Sequence, residues 1–431
     1  MRPKRPAVTD PIARSEAHPP TRSLGSRAAR AFVFIAAALV LVATLYPMES
    51  TGGGGNIGCL ICGERGLADA IVNVILFMPL GAAAALTGRS TLAALALGAA
   101  LSGSVEFAQM TLIPGRDASI GDLVFNTLGA AAGVAIVRTS WWWLGYDRLR
   151  ASRLSLAAAV IATAIIASTG LLLVPEMPDG TYFVMWTPVL RHLDPYDAPV
   201  RSVTIGGHHL PPGRIGEPTQ VRELLRAGGP IRVVADVAAK TSRQAAMFAI
   251  YDDFKREVVL IGPDRDDLVF RVRMRSASAR LDQPDLRVVG GWRDLTPGSE
   301  IAVTARRSGR NYCVGFGSQP PCSNGFSAGM GWALLFHIEH SPVWLQSALN
   351  VFWLAILGFP VGFWGRRRWE SLCALSVLAA TILALPAWVG LLDTPADQVL
   401  GGIAGIGLGI GLARVLVVNP QPGRGVARKP H

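Results

Sequence analysis

The sequence lacks the motifs by which many enzymes are recognised. It has no nucleotide-binding glycine loop, no nucleophile beside a base and no set of metal ligands at a standard spacing. These absences weaken an enzymatic interpretation. They leave it open, because a site embedded in a membrane can work with one acid and one base.

Long apolar segments are what the sequence does contain. Half of its 431 residues are hydrophobic, and the mean hydropathy is +0.36. A helix needs about 20 apolar residues to cross a bilayer. We therefore expect a polytopic α-helical membrane protein with about eight spans, at about 31–47, 68–88, 91–112, 119–138, 155–175, 343–364, 370–391 and 396–418.

A polar stretch of about 165 residues separates the fifth and sixth spans. Its short alternating segments, such as RSVTIGG and REVVLIGP, are bounded by Gly, Pro and Asp and predict an all-β sandwich or jelly roll. The predicted organisation is a disordered basic tail (1–30), a five-helix membrane domain (31–175), the sandwich (178–342), a three-helix membrane region (343–418) and a second tail (419–431).

The formal charge of +11 does not predict nucleic-acid binding, because the basic residues follow the topology. With eight spans, the N-terminal arm, residues 138–153, residues 366–368 and the C-terminal tail all fall on one side. Cytoplasmic segments are rich in Lys and Arg. The sequence therefore predicts a multi-pass plasma-membrane protein with both termini cytoplasmic and an extracytoplasmic sandwich.

Four of the five cysteines fall on the predicted extracytoplasmic side. Cys59 and Cys62 form a C-x-x-C, and Cys313 and Cys322 lie close together in the polar stretch. In an oxidising compartment this spacing favours two local disulfides. A zinc site that uses all four thiolates and a thioredoxin-like redox motif are the alternatives.

Polar side chains recur at helical spacing in three predicted spans, and we call them the polar belt. At spacings of three and four residues they share one helix face. The belt and its connecting loop comprise Asp69, Asn73, Ser102, Glu106, Gln109, Arg116, Asp117, Ser119, Asp122 and Asn126.

An ionisable side chain at the centre of a bilayer costs about 2.5–3.5 kcal/mol, so such groups normally face a bundle interior or a wet cavity. One interpretation of the belt is an interhelical network that locks three helices together. The other is a functional site at the outer face, with Glu106 and Asp122 as candidate acid and base and Arg116 as their counter-ion.

The segments NVILFMPLG, SGSVEFAQ and GRDASIGDLVFNTLGAAAG resemble the VanZ-like family of bacterial membrane proteins over roughly residues 30–138. The family takes its name from a member that raises resistance to the glycopeptide teicoplanin. The resemblance therefore implies a cell-envelope setting rather than a reaction. The matching positions are Asn73, Phe77, Pro79, Gly81, Ser102, Glu106, Gln109, Arg116, Ser119, Asp122, Asn126, Thr127 and Gly129.

The polar stretch is similar to concanavalin A-like and laminin-G-like domains, a fold that often binds glycans. Candidate sugar-stacking residues are Trp292, Tyr312, Phe326 and Trp332, each of which could equally belong to a core. The sequence predicts no cofactor. Calcium in the polar stretch is the alternative to Asp residues that serve only as turn formers. The candidate ligands are Asp252, Asp253, Asp264, Asp266 and Asp267.

The last three spans show a weak internal similarity to the first ones. NVFWLAILGFPVGFWGR at 350–366 shares its Asn and glycines with NVILFMPLGAAAALTGR at 73–89, and DQVLGGIAG places Asp397 where DLVFNTLGA has Asp122. Residues 343–418 are either a degenerate repeat that lost the belt or a chance similarity of apolar segments. G-x-x-x-G spacing at Gly129 and Gly133, and again at Gly401 and Gly405, favours close helix packing.

Three functional hypotheses follow. The first is an envelope protein that handles a surface glycan or a lipid-linked wall precursor. The second is an acid–base enzyme acting on a lipid-linked phosphate or glycan through Glu106, Asp122 and Arg116. A transporter ranks last, because the belt is confined to one leaflet and to the first half. The expected partners are membrane lipid and a glycan or precursor.

Overall fold

The computed structural model describes residues 26–45, 58–112, 119–144, 148–190, 193–336, 338, 341–365 and 368–417. Almost all of the first predicted tail and all of the second lie outside these residues.

The first part of the chain is helical. Long apolar helices alternate with short connections, as the hydropathy pattern predicts. The helices are α1 (Ser26–Leu45), α2 (Gly66–Leu86), α3 (Thr91–Leu112), α4 (Ile120–Arg138), α5 (Ser140–Trp143) and α6 (Arg148–Leu172).

The β-sandwich follows α6. Its strands are β1 (Tyr182–Trp186), β2 (Val200–Ile205), β3 (His208–His209), β4 (Gly213–Arg214), β5 (Ile231–Asp236), β6 (Phe248–Asp252), β7 (Glu257–Asp264), β8 (Asp267–Val272), β9 (Leu286–Val288), β10 (Glu300–Ser308) and β11 (Asn311–Phe316). Two short helices, α7 (Pro218–Arg226) and α8 (Arg275–Ser278), lie between strands. A 3₁₀ helix (Ala328–Leu334) ends the sandwich.

The strands form two antiparallel sheets, in the orders β4-β1-β6-β7-β8-β9 and β11-β10-β5-β2-β3. Period-two alternation along the strands sends one set of side chains between the sheets. Tyr182, Phe248, Ile261, Val203 and Val233 are fully buried there. The predicted sandwich between the fifth and sixth spans is confirmed.

The last part of the chain returns to helices, namely α9 (Val343–Trp364), α10 (Arg368–Leu383), α11 (Leu385–Trp388) and α12 (Ala396–Val417). Within the described residues, seven helices are long and apolar enough to cross a membrane: α1, α2, α3, α4, α6, α9 and α12.

The seventh predicted span, at 370–391, is shorter than expected. It forms the 16-residue helix α10 and then the separate four-residue α11. The physical reason is Pro386, which has no amide hydrogen and disfavours helical geometry in the residue before it.

Helices α2 and α4 approach each other at the level of their backbones. A Cβ atom on Gly129 would lie 2.4 Å from the carbonyl oxygen of Val74, and one on Gly133 would lie 2.0 Å from that of Met78. From the other side, a Cβ on Gly81 would lie 2.0 Å from the oxygen of Ala130. Only glycine fits at these three positions, as in other small-residue helix pairs.

Helices α9 and α12 repeat this contact in the same register. A Cβ on Gly401 would lie 2.4 Å from the oxygen of Val351, and one on Gly405 would lie 2.1 Å from that of Ala355. Val351 and Ala355 follow Asn350 as Val74 and Met78 follow Asn73. We call α1–α4 the first unit, and α6, α9, α10 and α12 the second unit.

The matched contacts correct the sequence alignment of the two units. Because Gly401 takes the place of Gly129, Thr394 stands where the first unit has Asp122, and Asp397 does not. The same register gives Asn126 a counterpart, Gln398, which the sequence comparison missed. The three-residue error arose because apolar helices offer few fixed points for alignment.

The sandwich contacts both units at one end of the bundle, which we call the sandwich end. The carbonyl oxygen of Arg280 accepts the amides of Leu67 and Ala68 at 3.0 and 3.2 Å, and so caps the first turn of α2. Arg65 pairs with Asp282 at 2.9 Å. On the second unit, Arg310 pairs with Asp393 at 2.7 Å.

Glu257, the first residue of β7, carries a largely buried carboxyl. Burial raises its pKa, the Arg271 guanidinium lowers it, and the nearby carboxylate of Asp285 raises it again. The net shift is upward, so folding favours the protonated form. Its contribution to stability is therefore fully present below the unfolded pKa of about 4.3 and is lost as pH rises through the folded pKa.

We predict that Ala at Gly133 or Gly405 disrupts its helix pair. Overpacking costs about 1–3 kcal/mol, whereas an unhindered Gly→Ala change in a helix gains about 0.5–1 kcal/mol. Gly103→Ala and Gly407→Ala are matched controls, because no atom lies within 4 Å of either Cβ position. The measurement is thermal unfolding of the purified full chain in detergent. Equal midpoints for Gly133→Ala and Gly103→Ala would contradict the packing.

We also predict that Glu257→Gln makes stability less dependent on pH. Wild type should lose thermal stability as pH rises above the unfolded pKa and the buried carboxyl ionises, and the variant should lose less. The exposed Glu223 provides the control Glu223→Gln, which should follow wild type. Parallel curves for wild type and Glu257→Gln would refute the assignment.

Candidate functional site

The polar belt lies at the sandwich end of the first unit. Belt residues near the start of α2, in the second half of α3 and at the start of α4 meet there, because α2 and α4 both begin at this end. The disulfide loop, residues 58–65, joins them: a Cβ on Gly121 of α4 would lie 2.2 Å from the carbonyl oxygen of Leu60.

The start of α4 is capped by two different residues. The Ser119 hydroxyl accepts the Asp122 amide at 3.1 Å, which is one half of a capping box. The Ser119 amide donates to Glu106 Oε2 of α3 at 2.9 Å, so Glu106 supplies the half that the third helical residue normally provides. The positive end of the α4 dipole therefore lies against two carboxylates, an arrangement that stabilises negative charge.

Because Glu106 accepts the Ser119 amide, the Asp122 carboxylate can bond a neighbouring helix. Its Oδ1 accepts the Asn73 side-chain amide of α2 at 2.7 Å. Both side chains are half-buried. The close approach of α2 and α4 at Gly129 places the two within this distance.

One turn deeper, Asn126 Nδ2 donates to the hydroxyl of Ser102 on α3 at 2.9 Å. Both residues are buried, at 2% and 0% exposure. No described residue donates a hydrogen bond to the other side-chain atom, Asn126 Oδ1, although it is buried. An unsatisfied buried acceptor is uncommon in folded proteins and calls for an explanation.

The remaining belt residues differ in position. Gln109 is buried but bonds the carbonyl oxygen of Thr44 on α1 at 2.9 Å, so it joins α3 to α1 rather than to the site. Asp69 is exposed in the first turn of α2. Arg116 and Asp117 lie outside the described residues, so the predicted counter-ion has no structural description.

Both predicted disulfides are present, Cys59–Cys62 and Cys313–Cys322. This result contradicts the alternative of a four-cysteine zinc site, because each pair is closed on itself. Among the residues that the structure describes, no group of three or more His, Cys, Asp and Glu side chains could hold a metal ion.

The sandwich residues proposed for ligand contact are used internally. All four aromatic candidates are buried to 7% exposure or less: Trp292, Tyr312, Phe326 and Trp332. Stacking on a sugar through these rings was therefore wrong, because the rings are packed inside the protein. Only Tyr312 lies on a strand, so alternation alone would not have placed the other three. Four of the five candidate calcium ligands bond within the sandwich: Asp252 to the Arg256 side chain, Asp264 to Arg287, Asp266 to Lys240 and Asp267 to the Gly290 amide.

Several residues that shape the site escaped the sequence analysis. Leu60 and Gly121 form the contact of the disulfide loop with α4, and Arg280 of the sandwich donates to the carbonyl oxygen of Ile61 at 2.6 Å. Gly121, next to Asp122 in the first turn of α4, was a visible signal for a close backbone approach. The Arg280 contact had no sequence signal, because it joins segments far apart in the chain.

The site can therefore do two things chemically. It holds two carboxylates at a helix N-terminus, and it offers amide and hydroxyl groups at two depths between α2, α3 and α4. Apart from the Ser119 cap of α4, the belt bonds join two helices, so the network also stabilises the bundle. Transmembrane hydrogen bonds of this kind average about 0.6 kcal/mol.

Comparison with known proteins agrees with the resemblance stated above. Residues 26–143 match a family model described as VanZ-LLP1: VanZ/LLP1, which covers a little over a quarter of the chain. Comparisons with curated proteins and with solved structures found no match. The matched segment contains α1–α5 and every described belt residue, so the family match and the site coincide.

We predict that Gly121→Ala displaces the disulfide loop from α4. The added methyl would lie 2.2 Å from the Leu60 oxygen and 3.1 Å from the Ser119 hydroxyl. A strain of about 1–3 kcal/mol should raise amide hydrogen exchange of the loop roughly tenfold or more. Gly103→Ala is the control. Unchanged exchange in Gly121→Ala would show that the loop does not rest on α4.

Proposed function

We propose that this protein is a multi-pass membrane protein of the bacterial cell envelope that recognises a surface glycan or a lipid-linked wall precursor at the sandwich end of its first unit. The observation that carries the proposal is the convergence of Glu106, Asp122 and Asn73 at the start of α4. The match of residues 26–143 to the VanZ/LLP1 family supports the membrane setting.

The proposed orientation has the sandwich outside and both termini inside. Both disulfides lie at the sandwich end, and disulfides persist in oxidising compartments. Basic side chains lie at the opposite end, as the excess of Lys and Arg in cytoplasmic segments predicts: Arg89, Arg138, Arg150, Arg153 and Arg414.

In this proposal the sandwich forms one wall beside the site. It contacts the loop that rests on α4, through Arg280 and Ile61 and through Arg65 and Asp282. A polar headgroup would meet the sandwich while its lipid chains remain in the bilayer. Tolerance to teicoplanin is the phenotype that the family resemblance implies.

A second candidate function is an acid–base enzyme that modifies the lipid-linked phosphate or glycan. The observation that favours it is the pair of carboxylates on one helix N-terminus, where the dipole stabilises the ionised form of each. Glu106 and Asp122 would be the acid and base, and Arg116 would hold the phosphate.

We predict that Glu106→Gln combined with Asp122→Asn abolishes function while the chain stays inserted. The amides keep oxygen atoms that can accept from Ser119 and Asn73, so the main loss is charge. The variant is expressed in a strain lacking the native protein, and lipid-linked precursors and surface glycans are compared by mass spectrometry. Teicoplanin sensitivity is measured in parallel.

The matched control is Asp397→Asn, which removes an exposed carboxylate from the second unit and should behave as wild type. A double variant that restores the wild-type profile would show that the belt carboxylates are architectural. A precursor of new mass formed by wild type alone would favour the enzyme over a binding protein.

A further inference from the structure

The two units carry amide side chains at matching positions, but these side chains have different hydrogen-bond partners. Asn350 and Gln398 of the second unit stand where the first unit has Asn73 and Asn126, because the glycine contacts of α9 with α12 match those of α2 with α4. The side chains at these four positions all carry an amide group. Their hydrogen-bond partners can therefore be compared directly.

In the second unit, other residues of the chain form hydrogen bonds with these side chains. The Trp332 indole donates to Asn350 Oδ1 at 2.8 Å, and the Gly329 amide donates to Gln398 Oε1 at 3.1 Å. Gln398 Nε2 donates to the Ser327 hydroxyl at 2.9 Å. The fit is close, since a Cβ on Gly329 would lie 2.5 Å from Gln398 Oε1.

The first backbone amides of a helix have no partner within it, so the Gly329 amide at the start of the 3₁₀ helix can donate to Gln398. Residues 328–334 pack against α9 of the second unit. In the first unit the partner of Asn126 comes from α3 instead.

The first unit reproduces only half of this pattern. Asn126 Nδ2 donates to the Ser102 hydroxyl, as Gln398 does to that of Ser327. Ser102 lies within α3, whose amides are bonded along the helix, so α3 offers no donor like that of Gly329. Asn126 Oδ1 is buried without a donor among the described residues. The half-buried Asn73 donates to Asp122 through its Nδ2, which leaves its Oδ1 as the acceptor at this position.

We infer that Asn73 Oδ1 and Asn126 Oδ1 accept hydrogen bonds from a ligand that presents neutral amide N–H donors. In the second unit, both donors to the counterpart oxygens are neutral N–H groups, one from an amide and one from an indole. A neutral donor suits the depth of Asn126, because a cation there would have to be desolvated.

This inference rests on the proposed function and narrows its substrate class. Amide N–H groups occur in N-acylated amino sugars and in peptide stems, so the ligand chemistry is shared by two sources. In both cases the acyl amide would approach Asn73 and Asn126 from the sandwich end, because the backbone contact of α2 with α4 leaves no room between those two helices. The charged or hydroxylated remainder of the headgroup would lie near Glu106 and Asp122 at the start of α4.

The test measures binding to the full chain in lipid nanodiscs. One pair of probes is a short-chain diphosphate lipid carrying N-acetylglucosamine and the same lipid carrying glucose. The other pair is a blocked dipeptide and its ester analogue, in which oxygen replaces the amide N–H. Wild type should bind the amide member of one pair at least about tenfold more tightly, and the pair that discriminates identifies the source.

The variant Asn126→Leu with Ser102→Ala removes the acceptor and its internal partner together, with little change in shape. It should lose this preference. The matched control, Gln398→Leu with Ser327→Ala, should keep it. Thermal unfolding checks that each variant is folded, and the comparison of probes on wild type needs no variant.

Three outcomes would overturn the inference. Equal binding of both members of each pair would mean that the protein does not recognise the amide N–H of the probe. The proposed recognition of a glycan lipid would still stand. An undiminished preference in the Asn126 variant would mean that a buried water, and not the ligand, donates to Asn126 Oδ1 in wild type. If wild type bound none of the probes, both the inference and the proposed function would fail.

Discussion

The backbone contact of α2 with α4 is the constraint on which the site depends. Glycines at 81, 129 and 133 let the two helices approach until carbonyl oxygens of one lie where side chains of the other would begin. At that distance the side-chain amide of Asn73 donates a hydrogen bond of 2.7 Å to Asp122. Larger residues would separate the helices, and the short polar side chains of the belt could not span the gap.

The same packing occurs twice, and the two copies serve different purposes. The second unit uses its polar positions to hold residues 327–334 of the sandwich, and it has Thr394 where the first unit has Asp122. The first unit keeps the two carboxylates, one of them shared between the cap of α4 and the end of α3. Of the two, the first unit is therefore the candidate for ligand recognition, and the second anchors the sandwich.

Much of this could be predicted from sequence, because hydropathy and alternation report local structure. The long helices, the sandwich, both disulfides and the convergence of Glu106, Asp122 and Asn126 followed from composition and spacing. The shortened α10, the true register of the second unit and the bond from Gln109 to Thr44 did not. Each depends on a contact between distant segments, which single-sequence patterns do not record.

The cap that Arg280 gives to α2 has a consequence for biosynthesis. The amides of Leu67 and Ala68 have no side-chain cap and take the Arg280 carbonyl oxygen instead. Arg280 belongs to the sandwich, which the ribosome makes only after all of the first unit. The sandwich end of the first unit therefore cannot be completed during its own insertion, and it is completed only when the sandwich has folded. A nascent chain stalled before residue 280 would carry the belt in an unfinished form.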